Sequence, residues 1–80
     1  MNIERVEWVD SSGNGRWRTR AEILSSVPLS CCTTVGFVLD ENDEAIWLIQ
    51  SYDEQVGDEQ NVNNTLVIPK VAITKREVIG

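Results

Sequence analysis

The sequence contains no histidine, only two cysteines and two prolines, and no long apolar run. Without histidine, the chain lacks the commonest general base and the commonest metal ligand near neutral pH. No serine or cysteine therefore has a histidine partner for nucleophilic catalysis, and no Gly-rich phosphate loop with its lysine is present. These absences argue against an enzyme and against structural zinc, so we expect a binding protein that needs no cofactor.

No apolar stretch approaches the roughly 18 residues that a membrane-spanning helix needs. Residues 1–7 also lack the apolar centre of a signal peptide. Cys31 and Cys32 are neighbours, so they cannot build a disulfide framework, and we expect two buried free thiols. These features predict a cytoplasmic protein with no membrane partner.

Positive charge is also scarce, because seven Lys and Arg residues face thirteen Asp and Glu residues, a net charge of −6. Duplex nucleic acid requires many phosphate-facing cations, so it is disfavoured as a partner, and a basic or small partner is favoured. Eighty residues suffice for a single domain, residues 1–80, with one core. We expect a homo-oligomer, because association buries area that so short a chain cannot bury alone.

Hydrophobic alternation and turn signals predict a mostly β fold with five short strands. Gly36, inside the second of them, indicates a bulge or a close backbone approach. The polar stretch 52–64 predicts a mobile loop. The predicted strands are residues 3–9, 31–39, 45–51, 65–68 and 73–79, and the second and third form a hairpin across the acidic turn 40–44.

One short helix is predicted over residues 20–26. Thr19, followed three residues later by Glu22, fits a capping box, and Pro28 ends the helical stretch. Three residues at helical spacing are expected to face the core, namely Trp17, Ala21 and Leu24.

This pattern of elements predicts a small five-stranded barrel of the SH3-like or Sm-like kind, with one short helix. In those folds a single 3₁₀ turn joins the last two strands, and residues 68–73 suit that place. Pro69 is tolerated there, because it need not donate to a ladder. Closure into a barrel also removes exposed strand edges.

Residues 16–20 form the most unusual segment, because they hold three of the seven cations of an acidic chain. Arginine supplies planar, bidentate donors for phosphate or carboxylate, and Trp17 supplies a face for a base or a cation. Asp10, Ser11 and Ser12, just upstream, are suited to hydroxyl or ribose contacts. The predicted ligand-binding residues are Trp8, Asp10, Ser11, Arg16, Trp17, Arg18, Arg20 and Lys70, and the predicted ligand is a small anionic nucleotide.

A plainer interpretation stays open beside this one. Trp17 then belongs to the core, and the three arginines pair with surplus carboxylates. A second, weaker basic cluster, formed by Lys70, Lys75 and Arg76, is then a solvated edge.

Three short motifs resemble a known group of proteins. Residues 8–11 read W-x-D-S, residues 32–37 contain a C-x-x-V-G-F strand, and residues 68–73 read I-P-x-x-x-I. The pattern resembles that of short uncharacterised accessory proteins encoded by tailed bacteriophages. The matching positions are Trp8, Asp10, Ser11, Trp17, Gly36 and Pro69.

The resemblance implies a phage accessory protein that acts in the bacterial host cytoplasm, and it assigns no catalytic residue. Small proteins of this class act by binding, and some sequester nucleotide signals of host defence as oligomers. The leading expectation is therefore a non-enzymatic nucleotide sponge, a counter-defence protein. The alternatives are a module that inhibits a host protein through its acidic surface, with DNA mimicry as one version, and a nucleic-acid-binding small barrel.

Overall fold

The computed structural model of the chain describes residues 1–13, 15–26 and 28–80. Within these residues, five strands form one antiparallel sheet, two short strands form a second sheet, and there is one short α-helix. The predicted mostly β class and the short helix are confirmed. The elements are β1 (Ile3–Asp10), α1 (Arg20–Ser26), β2 (Ser30–Glu41), β3 (Ala45–Ile49), β4 (Ser51–Tyr52), β5 (Val62–Asn63), β6 (Leu66–Pro69) and β7 (Ile73–Val78), with 3₁₀ turns at Gly57–Glu59 and Lys70–Ala72.

The long strand β2 lies at the centre of the five-stranded sheet, whose order is β6-β3-β2-β1-β7. Its first part pairs with β1, and its last part pairs with β3. The register with β3 shifts between Val38 and Asp40, which marks a β-bulge. A bulge bends its strand, so β2 turns the sheet as it passes from one partner to the other.

The sheet curls until strands from both of its edges share one core. Val6 of β1, Ile46 and Leu48 of β3 and Ile68 of β6 form a buried cluster, against which Ile73 of β7 packs. In a flat sheet, β6 and β7 would lie about 19 Å apart, four strand spacings, and their side chains would not share a cluster. Burial of these aliphatic side chains therefore determines the curvature.

The curled sheet is open in the part of the chain that the structure describes. β6 and β7 form no ladder with each other there, so the predicted closed barrel is not detected. The edge strand β6 has only four residues and ends at Pro69, which has no N–H to donate. The chain then passes through the 3₁₀ turn at Lys70–Ala72, at the place that the sequence predicts, directly into β7.

The helix α1 begins where the capping residues predict. The Oγ1 atom of Thr19 accepts a hydrogen bond of 3.2 Å from the backbone N–H of Glu22, which satisfies one free donor of the first turn. At the other end, the hydroxyls of Ser25 and Ser26 both donate to the Glu22 carbonyl. Such back-bonding competes with further helical turns, so the helix is short.

The expectation that this helix faces the core is wrong. α1 contains no buried residue, Ala21 is exposed, Trp17 is fully exposed, and Leu24 is 75% exposed. The core cluster is built from strands alone. Helical spacing indicates which residues share a face, but it does not determine whether the helix packs on its own sheet.

The helix belongs to an extension of the molecule that we call the arm, the described residues among 11–29 that connect β1 to β2. No strand packs extensively against α1 within the described chain. The molecule measures 53 × 23 × 21 Å, and its radius of gyration is 16.5 Å. A compact domain of 80 residues has a radius of gyration of about 12 Å, so this chain is elongated.

The stretch predicted as an irregular mobile loop has regular structure. β4, a 3₁₀ turn and β5 form a small projection, residues 51–63, that we call the tip. The carboxylate of Asp53 accepts hydrogen bonds from the backbone N–H groups of Gln55 and Asn61 and, at 2.8 Å, from the Asn61 side chain. These bonds to the carboxylate lower the pKa of Asp53 below its ordinary value.

The two thiols differ from the expected pair of buried cysteines. Cys31 is exposed and Cys32 is half-buried. β3 ends opposite Phe37, so the first residues of β2 have a strand neighbour on one side only. This one-sided pairing leaves the start of β2 open to solvent.

Among the described residues, no helix has the length and apolar character that crossing a membrane requires.

The position of Gly36 inside β2 predicts that another part of the backbone comes close to it, and a substitution at Gly36 tests this prediction. A Cβ atom there would lie 3.0 Å from the backbone carbonyl oxygen of Ile49, which would have to shift by a few tenths of an ångström. We expect Gly36→Ala to lower the free energy of unfolding by about 1–3 kcal/mol, as overpacking does. Urea denaturation, monitored by tryptophan fluorescence, measures the free energy of unfolding of each variant.

The matched control is Gly13→Ala, because a Cβ at Gly13 meets no atom within 4 Å. Equal stability of the two variants would contradict the close approach at Gly36.

Candidate functional site

An open groove lies at the base of the arm, where β1 ends and β2 begins. Ser30, which pairs with Asp10 at the end of the β1–β2 ladder, lines it on the side of the sheet. The groove encloses about 520 Å³, within the range of small-ligand sites. It is lined by Ser12, Gly13, Ser26, Pro28, Leu29, Ser30 and Cys31.

Hydrogen bonds across the arm hold this groove in shape. The hydroxyl of Ser12 donates to the carbonyl oxygen of Pro28, which ties the two sides of the arm together. Arg18 Nη1 lies 3.3 Å from the Oγ atom of Ser26, to which it donates. The guanidinium of Arg18 is therefore held beside a lining residue, and its other N–H groups are available to an anion.

The remaining predicted residues of the arm all lie at the surface. Arg16, Trp17 and Arg20 are exposed, so Trp17 does not belong to the core. Asp10 and Ser11 are exposed at the end of β1, where the Asp10 carboxylate accepts from the N–H of Ser11 at 2.8 Å. The structure thus places six of the eight predicted residues in the arm or at its base.

Trp8 lies apart from this group, on the five-stranded sheet. Its ring packs against the core cluster, and its Nε1–H donates to the Oγ1 atom of Thr34 on β2 at 3.0 Å. The indole N–H is thus used within the protein, and the ring is half-buried. Trp8 lies outside the arm and its only donor has a partner on β2, so its contact with a ligand stays a prediction.

Lys70 is also separated from the arm, and it belongs to an ion-pair cluster on the sheet. Its Nζ lies 2.8 Å from Oε2 of Glu41, and Arg76 Nη1 lies 2.9 Å from the same oxygen. Arg76 also pairs with the buried carboxylate of Glu4 through two bonds of 2.8 Å. The predicted role of Lys70 in ligand binding stays a prediction, and in the structure the carboxylate of Glu41 engages its ammonium group.

The same cluster shifts the titration of its members. Hydrogen bonds from Arg76, and then from Lys70, lower the pKa of Glu41 from 4.5 to about 2. The hydrogen bonds that Arg76 donates to the carboxylates of Glu4 and then of Glu41 raise the pKa of Arg76. In both groups the ionised form is stabilised by its partner, so the cluster keeps its charges at neutral pH.

Most residues that line the groove are not indicated by any local pattern in the sequence. Ser26, Pro28 and Ser30 surround the groove because the arm folds back on itself, yet they lie up to 18 positions from Ser12 in the chain. Ser12 is the lining residue that the sequence does indicate, together with Asp10 and Ser11. A high serine content near both ends of the arm is the only local signal that suggests a polar surface there.

A second, smaller concavity of about 260 Å³ lies between the two strands of the tip, beside Tyr52 and Asp53. The described residues contain no group of three or more Cys, Asp and Glu side chains placed to hold a metal ion. The Asp53 carboxylate beside this concavity accepts a hydrogen bond from the side-chain amide of Asn61.

Comparisons with known proteins give no match to this chain, whether with protein-family models, with curated proteins or with solved structures.

The shifted carboxyl of Glu41 predicts a specific pH dependence of stability. Because its pKa falls to about 2 on folding, the stabilisation from Glu41 is fully present above the ordinary pKa of 4.5 and is lost as pH falls towards 2. We expect Glu41→Gln to be less stable than the wild type at pH 7. The difference should disappear by about pH 2, as measured by urea denaturation at a series of pH values.

Glu54→Gln is the control, since the Glu54 carboxylate has no ion pair with any described residue. A stability difference for Glu41→Gln that stays constant from pH 7 to pH 2 would show that the ion pairs contribute nothing.

Proposed function

We propose that this chain is a non-enzymatic binding protein that holds a small anionic nucleotide in the groove at the base of its arm. The observation that carries the proposal is the position of Arg18 beside Ser26 at the edge of that groove. A guanidinium can bind a phosphate through two parallel N–H donors, and lining hydroxyls can accept or donate to a ribose. The absence of histidine from the sequence supports binding without catalysis.

Trp17 gives the site a surface for a planar group. Its indole is fully exposed and lies one residue from Arg18. A base stacked on an aromatic side chain typically contributes about 1–3 kcal/mol to binding. An exposed tryptophan beside an arginine thus suits a ligand that carries both a phosphate and an aromatic ring.

The distribution of charge supports a small ligand over an extended polyanion. The arm contains three arginines and one glutamate, a net charge of +2, so the rest of the chain carries −8. A nucleic acid long enough to extend beyond the arm would meet this negative surface, whereas a ligand confined to the arm would not.

We further propose that the chain is a counter-defence accessory protein of a phage, acting in the host cytoplasm, and that the curled sheet is an SH3-like or Sm-like arrangement. The three motifs that resemble the phage group support the first part. The strand order and the 3₁₀ turn before β7 support the proposed fold.

Inhibition of a host protein through the acidic tip is the second candidate function. It is favoured by the exposed side chains of Tyr52 and Val56, which lie near four carboxylates in the sequence.

Calorimetric titration with a panel of cyclic oligonucleotides and ADP-ribose-type signals tests the proposed ligand class. We expect at least one compound to bind, and Arg18→Ala to weaken that binding tenfold or more, because a hydrogen bond to a charged group contributes about 1.5–3 kcal/mol. Trp17→Ala should weaken binding to a similar extent.

Lys75→Ala is the matched control, because Lys75 is an exposed cation on β7, outside the groove. The proposal is overturned by an absence of binding across the panel, or by unchanged affinity in both Arg16→Ala and Arg18→Ala. A host protein retained by the wild type, and lost on Glu54→Lys, would favour the second candidate.

A further inference from the structure

The chain exposes more surface than a compact monomer of its size. Its accessible area is 6070 Å² for a mass of 9.0 kDa. A folded monomer of that mass exposes about 4,900 Å², so the excess is about 1,200 Å². A standard protein interface removes about 800 Å² from each partner, so the excess is large enough to supply one.

Part of this excess belongs to a helix that lacks packing within its own chain. α1 has seven residues, and isolated helices shorter than about 12–15 residues are marginal in water. Arg20 and Leu24 lie four positions apart and therefore share one face of α1. Both are exposed, and Arg20 forms no ion pair with a described residue. This face combines an apolar side chain with a positive charge, so a partner should offer the opposite charge beside an apolar contact.

The tip of the same chain has these properties. Residues 51–63 contain four carboxylates and no lysine or arginine. Val56 is 82% exposed, and Tyr52, whose ring contacts Phe37 edge-on at 5.1 Å, is also exposed. Glu54 and the other carboxylates surround these apolar side chains along the chain, so the tip complements the outer face of α1 in charge and in hydrophobicity.

We propose that two copies of this chain form a symmetric dimer in which α1 of each copy packs against the tip of the other. Leu24 contacts Val56, and Arg20 lies among the carboxylates that include Glu54 and Glu59. Two complementary patches on one chain allow both contacts to form across a two-fold axis, which closes the assembly. This dimer does not depend on the proposed ligand, because it uses the outer face of α1 and not the groove.

Other exposed apolar surface suits α1 less well. Val71 is almost fully exposed at the turn before β7. The surrounding residues 65–73 contain no carboxylate, and their only charged residue is Lys70. The carboxylate that reaches this turn, Glu41, is already paired with Lys70 and Arg76. Arg20 would meet the positive charge of Lys70 there, so the tip is the better match on the same chain.

Sedimentation velocity of the full chain, without nucleotide, tests the stoichiometry. We expect twice the protomer mass of 9.0 kDa at tens of micromolar, and dissociation as salt is raised, since exposed charges are screened. Leu24→Ser should weaken the dimer tenfold or more. Val71→Ser, at an exposed apolar position outside the proposed interface, should leave it unchanged. A monomeric wild type overturns the proposal.

A charge exchange tests which surfaces meet. Arg20→Glu should dissociate the dimer by placing like charges together at both contacts, and Glu54→Lys with Glu59→Lys should do the same. Mixing these two proteins should restore a dimer, because every contact in the mixed pair again joins opposite charges. Lys75→Glu is the control for charge reversal alone and should remain dimeric.

Failure of the mixture to associate, when each variant alone is monomeric, overturns the pairing of α1 with the tip. A dimer that neither variant weakens overturns it as well. Circular dichroism checks that each variant is folded. If a variant is not folded, the mass of the wild-type protein in solution still decides whether the chain dimerises. Because nucleotide is absent throughout, a failure here is distinct from a failure of ligand binding in the calorimetric titration.

Discussion

Arg76 joins parts of the sheet that are distant along the chain. On one side it pairs with Glu4 of β1, a carboxylate that is only 6% exposed, and on the other it pairs with Glu41 at the end of β2. A buried carboxylate without a partner is costly, so Glu4 requires Arg76. Since Glu41 can reach Arg76 only when β2 bends across towards β7, the ion pairs and the curvature of the sheet depend on each other.

Because the sheet is curled, only a few side chains lie in its interior. The fully buried apolar side chains are Val6, Ile46, Leu48, Ile49 and Ile68, and all lie on strands. A core this small has no position for α1, whose apolar side chains remain at the surface. The elongated shape of the molecule and its large accessible area follow from that separation between a packed sheet and an unpacked arm.

The arm combines two surfaces with different chemistry. Its base is a groove with serine hydroxyls and the guanidinium of Arg18, and its outer helical face presents Arg20 and Leu24. The first surface suits a small anion, and the second suits a protein surface that is acidic and apolar. Binding at one need not block the other, because neither Arg20 nor Leu24 lines the groove. A dimer would bring the two arms into one assembly and limit their motion, which lowers the entropic cost of ordering a ligand site.

Sequence alone determined most of the local structure of this protein. Alternation, the Thr19 cap and the turn signals indicated the strands of the large sheet and the helix, because these depend on neighbouring residues, but they did not indicate the two short strands of the tip. Gly36 indicated a close backbone approach, and only the tertiary structure supplied its partner, Ile49. Only the tertiary structure decided that Trp17 and Leu24 stay outside, that Trp8 bonds to Thr34, and that Lys70 pairs with Glu41. Those outcomes depend on contacts between residues distant in the chain, which a local pattern does not contain.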